Sequence, residues 1–200
     1  MREHWFSDHR DLIKWSVLLH LSRQHSLKAI VWVPYLRTEV SRPSFFYTQD
    51  HTNQLIRVQD NVWRFFRDMS RVRHLVEQEN IKLRFVKEDF KSRNRRGYSS
   101  IIQGCLQDCD HPLLLFLDPD TGLAVNRVNA EHVSGEDVQA AWSFLKRNNW
   151  LVLYQHSWRN AEWLDIARSR FAELCDGTPI DIARSQEVAN DVAFLCARKP

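Results

Sequence analysis

Apolar residues recur along this chain in two rhythms. From His9 to Gln24, HRDLIKWSVLLHLSRQ sets Leu12, Ile13, Trp15, Val17, Leu18, Leu19 and Leu21 on one broad face at helical spacing, with Ser7 or Asp8 available as a cap. That predicts a helix. AIVWVPYL follows, a β-rich run broken at Pro34, and predicts a buried strand ending at Val33. Residues 38–53 read as an irregular loop. The next stretch, 54–79, has the spacing of a long amphipathic helix or two, with a polar face made mostly of Arg. IKLRFV (81–86) alternates like a strand, and a basic turn and a helix near 99–107 come after it.

Two short runs open with five unbroken apolar residues. LLLFL (113–117) stops on Asp118-Pro119-Asp120-Thr121-Gly122, and WLVLYQH (150–156) follows a stretch whose Ser134 and Asp137 are spaced to cap a helix near 135–147. Such runs predict strands buried on both faces, adjacent and parallel. AEWLDIARSRFAELCDG predicts a helix closed by Gly177, and DVAFLCARK (191–199) a last strand. Strands alternating with helices give an α/β fold, a Rossmann-like three-layer sandwich with a mostly parallel sheet and helices on both faces. No repeat or linker divides residues 1–200, so one domain is expected, with a basic helical insertion at about 54–110.

Parallel strands share a carboxyl edge, where open α/β sheets place their ligands. Asp118, Asp120, His156 and Arg159 are expected to approach one another there, and Asp118, Asp120 and His156 form the candidate catalytic set. Two carboxylates so close in sequence raise one another's pKa unless a cation shares them; His9, Lys14, His156, Arg159 or a metal ion would serve.

Charge changes the picture in one region. The net charge is +3, and Arg outnumbers Lys 21 to 7. Between Arg57 and Arg96 stand twelve Lys and Arg against six Asp and Glu, a local +6. Arg-weighted basic segments suit phosphate, so nucleic acid is the expected partner, contacted by Arg93, Arg95, Arg96 and Arg159. No apolar run is long enough to span a membrane and no secretory h-region opens the chain, which together with few cysteines predicts a cytoplasmic protein with reduced thiols. Cys105, Cys109 and His111 lack the spacing of a zinc knuckle, and no metal is expected there.

DHRDLIKWSVLLHL resembles the segment that opens the 23S ribosomal RNA adenine-N6 methyltransferases, which belong to the class I, Rossmann-like type. His9, Asp11 and Lys14 match its His, Asp and Lys positions, and Trp15 stands for its second His. Asp118-Pro119-Asp120-Thr121 matches the D-P-P-[YF] motif after the fourth strand. FLDPDTGL and YQH also resemble strings shared by a group of bacterial proteins. The resemblance implies S-adenosylmethionine as cofactor, lined by His9, Asp11, Lys14 and Asp118. It also implies that Asp118 accepts from the exocyclic amine of a flipped base. Two departures stand out: VPYLRT after the first strand contains no glycine, and Thr121 replaces the stacking aromatic. Two alternatives stay open. One is a metal-dependent nuclease holding Mg²⁺ with Asp118, Asp120 and Glu88. The other is a non-catalytic nucleic-acid-binding protein on a degenerate methyltransferase fold.

Overall fold

The computed structural model describes residues 9–37, 47–49, 52, 54–57, 68, 70–125 and 127–200. The helices are α1 (His9–Gln24), α2 (Ser70–Glu77), α3 (Arg95–Gln107), α4 (Gly135–Phe144) and α5 (Trp163–Leu174). The strands are β1 (Ala29–Val33), β2 (Tyr47–Gln49), β3 (Leu55–Arg57), β4 (Lys82–Phe85), β5 (Leu113–Leu117), β6 (Gly122–Leu123), β7 (His132–Val133), β8 (Trp150–His156), β9 (Ile180–Ser185) and β10 (Ala189–Arg198).

Six strands form the main sheet in the order β4-β1-β5-β8-β10-β9. β4, β1, β5 and β8 run parallel, and β10 is antiparallel to both β8 and β9. The expected adjacency holds, with Leu114 opposite Trp150 and Leu117 opposite Leu153. Every residue of β1 and of β5 is buried because the sheet is covered on both faces. Ile30, Trp32, Leu114, Phe116, Val152 and Phe194 face Trp15, Leu18 and Leu19 of α1 and Val72 and Val76 of α2. The alternate residues, among them Val31, Val33, Leu115, Leu117 and Leu153, face Tyr98, Ile102, Val138, Trp142 and Phe171 on α3, α4 and α5. Helix, sheet and helix make the expected three layers.

Local signals explain most boundaries. Ser134 Oγ accepts from Asp137 N–H at 3.1 Å and the Asp137 carboxylate accepts from Ser134 N–H at 2.9 Å, the reciprocal cap of α4. α3 begins at Arg95 rather than near 99, because Asn94 Oδ1 accepts from Gly97 N–H at 3.3 Å. Past α5, Gly177 takes φ 73°, the left-handed position that closes a helix.

The basic stretch departs from its expected form. Leu55–Arg57 pairs antiparallel with Tyr47–Gln49, so helix does not begin at 54, and part of the expected loop is strand. Residues 58–67 and 69 lie outside the described residues, and the helix after them is only Ser70–Glu77. Nor is 54–110 an insertion throughout: Lys82–Phe85 pairs with Ala29–Trp32 in the main sheet, and α3 covers that sheet. Strand β9 was not foreseen. It is an edge strand whose Asp181 and Arg184 are exposed, which leaves too weak an apolar alternation to recognise.

Strand order reverses at β1. The chain steps outward from β1 to β4, then returns past β1 to β5. The carboxyl ends of β1 and β5 therefore flank the topological switch point, where open α/β sheets bind ligands.

Candidate active site

β1 ends on Val33-Pro34 and β5 on Leu117-Asp118, and the Asp118 N–H donates to Val33 O at 2.8 Å, which ties the two strand ends together. Asp118 is 1% exposed and points to the α1 face of the sheet. Its Oδ2 accepts from Lys14 Nζ at 2.9 Å and from Trp32 Nε1–H at 2.8 Å. Lys14 Nζ also donates to Asp11 Oδ1 at 2.6 Å, since positions three apart on α1 share a face. Two carboxylates thus flank one ammonium, which lies 5.4 Å from the centre of the Tyr154 ring. Burial opposes charge on Lys14, but Asp118 and Asp11 outweigh it and hold the ammonium above the ordinary lysine range. Burial lifts the Asp118 carboxyl above the usual carboxylate range, against the pull of Lys14.

Asp120 turns elsewhere. Its carboxylate pairs with Arg37, whose guanidinium also lies 3.5 Å from Glu131 Oε1. Each Asp of the motif therefore has its own cation. Lys14, one of the expected partners, serves Asp118; Arg37, which the sequence did not single out, serves Asp120. Thr121 Oγ1–H donates to Glu131 O at 2.8 Å, and His156 N–H to Thr121 O at 3.0 Å. Gln155, buried in β8, clasps the loop: its Oε1 accepts from Leu123 N–H at 2.9 Å and its Nε2 donates to Thr121 O at 3.2 Å. Gly122 sits against that amide at φ 107°, where a side chain would be strained and an added Cβ would lie 2.5 Å from Gln155.

His156 stands at the same edge with Nε2 3.2 Å from Asp191 Oδ2 and Nδ1 3.0 Å from Ser157 O. Both ring nitrogens face acceptors. Arg10 pairs with the Asp191 carboxylate, which holds it below the usual range; the neighbouring His156 acts in the same direction. His9 is exposed on the first turn of α1, and Arg159 is exposed beyond β8. Lys14 and Asp118 are thus brought together, Asp11 joins them, and Asp120, His156 and Arg159 stand at the edge without meeting Asp118.

The three arginines of the basic turn do not act alike. Arg93 and Arg96 are exposed, whereas Arg95 is spent inside the protein. It pairs with Asp137, donates to Asn129 O at 2.7 Å and lies 4.9 Å from the centre of the Phe90 ring. Among the described residues no group of three or more His, Cys, Asp and Glu side chains comes together to hold a metal ion. The carboxylates of the nuclease alternative do not converge: Glu88 is exposed in the loop after β4, and Asp118 and Asp120 diverge. Cys109 Sγ lies 3.0 Å from Cys105 O, and all four cysteines are free. No helix among the described residues is long and apolar enough to cross a membrane.

Trp32, Arg37, Gln155, Arg10 and Asp191 were missed as site residues. Gln155 alone left a trace, as a polar residue inside an otherwise apolar strand run.

No protein-family model and no curated protein matches the chain. Among solved structures it is similar to a DUF574 family protein from Streptomyces avermitilis MA-4680, at 11% identity over 96% of this chain and 82% of that one, with a TM-score of 0.46. A likeness so distant carries no argument about function, and the α/β assignment rests on the strand order itself.

Proposed function

We propose that this chain is a methyltransferase-like protein directed at nucleic acid, transferring a methyl group from S-adenosylmethionine to an exocyclic base amine. The observation that carries the reading is the Asp11–Lys14–Asp118 group at the switch point of the sheet. One cation between two anions is complementary to the zwitterionic amino-acid end of that cofactor. Its ammonium suits the carboxylates, and its carboxylate suits Lys14. The absent glycine turn also has a counterpart. Tyr35 holds φ 48°, the left-handed conformation a glycine would supply, while its ring packs against Phe90 at 4.8 Å and Tyr98 at 5.3 Å.

Bound there, the cofactor supplies an electrophilic methyl group. Asp118 accepts a hydrogen bond from the target amine and aims its lone pair, so positioning carries most of the rate. His156 stands at the same edge, held between Ser157 O and the Asp191 carboxylate. Arg159, Arg93 and Arg96 contact phosphates, in a cytoplasmic setting that keeps the thiols reduced.

Calorimetric titration with S-adenosylmethionine tests the reading. Wild type should bind, and Asp118→Asn should bind at least tenfold more weakly while melting within a few degrees of wild type, since Asn still accepts from Trp32. Heat on adding Mg²⁺ instead would turn the reading to the nuclease. The burial of Asp118 favours a second reading: a nucleic-acid-binding protein that does no chemistry. It predicts no cofactor binding with nucleic-acid affinity intact.

The basic turn makes a separate prediction. Arg93→Gln with Arg96→Gln should lower the salt dependence of nucleic-acid affinity by about two counterions' worth of slope, leaving the melt unchanged. Arg95→Gln should do the reverse, lowering stability by roughly 2 kcal/mol through the unpaired Asp137 with little effect on the slope. Filter binding across a salt series, beside denaturation, checks both.

A further inference from the structure

We propose that Trp32 is a positioning residue of this site, holding one oxygen of Asp118 so that the other is presented to the ligand. The inference rests on the methyltransferase-like reading. Trp32 sits one residue before the end of β1 and is 1% exposed. Its ring meets Trp15 edge-on, with centroids 5.0 Å apart at 89°, and lies 4.8 Å from Phe85, so the indole cannot swing. Its N–H donates to Asp118 Oδ2 at 2.8 Å, the same oxygen that Lys14 takes at 2.9 Å. Two donors on Oδ2 leave Oδ1 with the remaining acceptor capacity of the carboxylate.

Burial alone does not require this bond. The fold leaves the Nε1 atoms of two other buried indoles, Trp15 and Trp150, without partners. Trp32 instead spends its donor on the carboxylate at the switch point, and in doing so favours the ionised form of a group that burial pushes toward protonation. Among the described residues, the charged groups that share this environment are Lys14 and Asp11 of α1. Neither lies on β1 or β5, so on the strand side the indole N–H supplies the polarity that holds Oδ2.

The test is Trp32→Phe, alongside position 32 carrying β-(3-benzothienyl)alanine, which keeps the indole shape and lacks only the N–H. Two measurements decide. A carbon-13 carboxyl titration of Asp118 in the ligand-free chain should move to higher pH in both variants. S-adenosylmethionine affinity at pH 6 relative to pH 8 should fall by on the order of tenfold more than in wild type. A purely structural Trp32 predicts lower melting temperatures in Trp32→Phe, no loss in the isosteric variant, and an unmoved carboxyl titration in both; that result overturns the inference. If wild type does not bind the cofactor, the functional reading fails, and the ligand-free titration still decides whether Trp32 sets the state of Asp118.

Discussion

Replacing Lys14 with methionine should destabilise the chain by about 3–5 kcal/mol, a substantial part of the marginal stability of a domain. The ammonium is 5% exposed and separates Asp11 from Asp118, whose side chain is 2% exposed. Without it, two desolvated carboxylates face each other, with the Trp32 N–H still donating to Asp118. The loss should depend on pH with a definite sign. Lys14 has a folded pKa above its unfolded value, so its contribution is complete below about pH 10.5 and fades only as pH rises through the higher folded pKa. Asp118 is already lifted by burial, and without Lys14 it rises further. Its ionisation then costs stability above that raised pKa, and the deficit shrinks as pH falls back toward the ordinary carboxylate value. Urea denaturation from pH 8 to pH 5 should show the variant converging on wild type. Adding Asp118→Asn to Lys14→Met should recover part of the loss at pH 8. A deficit independent of pH would mean that Lys14 acts through packing of its stem alone.

Gly122→Ala is the second large effect, at about 4 kcal/mol. One part is backbone strain, because φ 107° is a region L side chains rarely adopt, at a cost of 1–3 kcal/mol by the usual range for strained residues, here about 2. The other is Gln155. An added Cβ would lie 2.5 Å from its amide, and the amide cannot retreat without giving up its bonds to Leu123 N–H and Thr121 O, each worth about 1 kcal/mol. The same change at Gly104 is the control. There an added Cβ meets nothing within 4 Å inside α3, and alanine should stabilise by about 0.5–1 kcal/mol. Because Gly122 closes the loop that begins at Asp118, cofactor affinity should fall with stability in Gly122→Ala and hold in Gly104→Ala. Equal melts for the two would remove Gln155 as the clasp of the motif.

What could be read from the chain was what depends on neighbours in sequence. The apolar runs that fill β1 and β5 and open β8 announced strands covered on both faces, and Ser134 with Asp137 announced the start of α4. Their parallel order then placed Asp118 at a shared edge. The residues that complete the site depend on distance in sequence instead. Arg37 reaches Asp120 across 83 positions and Trp32 reaches Asp118 across 86, and no local pattern marks either pairing. Counting charge misled for a related reason. Arg95 adds to the basic total, yet its guanidinium is consumed by Asp137 and by backbone carbonyls, so composition overstated the surface available to phosphate. Residues 55–57 are strand rather than helix because helical spacing of apolar residues also fits a short strand over three residues, and the pairing of Leu55–Arg57 with Tyr47–Gln49 decided between them, while Ser70–Glu77 is helix as expected.

The most direct measurement of the central claim is transfer of a radioactive methyl group from S-adenosylmethionine to total cellular RNA and DNA, by wild type and by Asp118→Asn at matched stability. A chain that methylates through Asp118 should incorporate label into one of the two nucleic acids, recovered on digestion as a base methylated at its exocyclic amine, with a loss of at least a hundredfold in Asp118→Asn. Equal incorporation by both proteins, or bound cofactor with no incorporation by wild type, would contradict it.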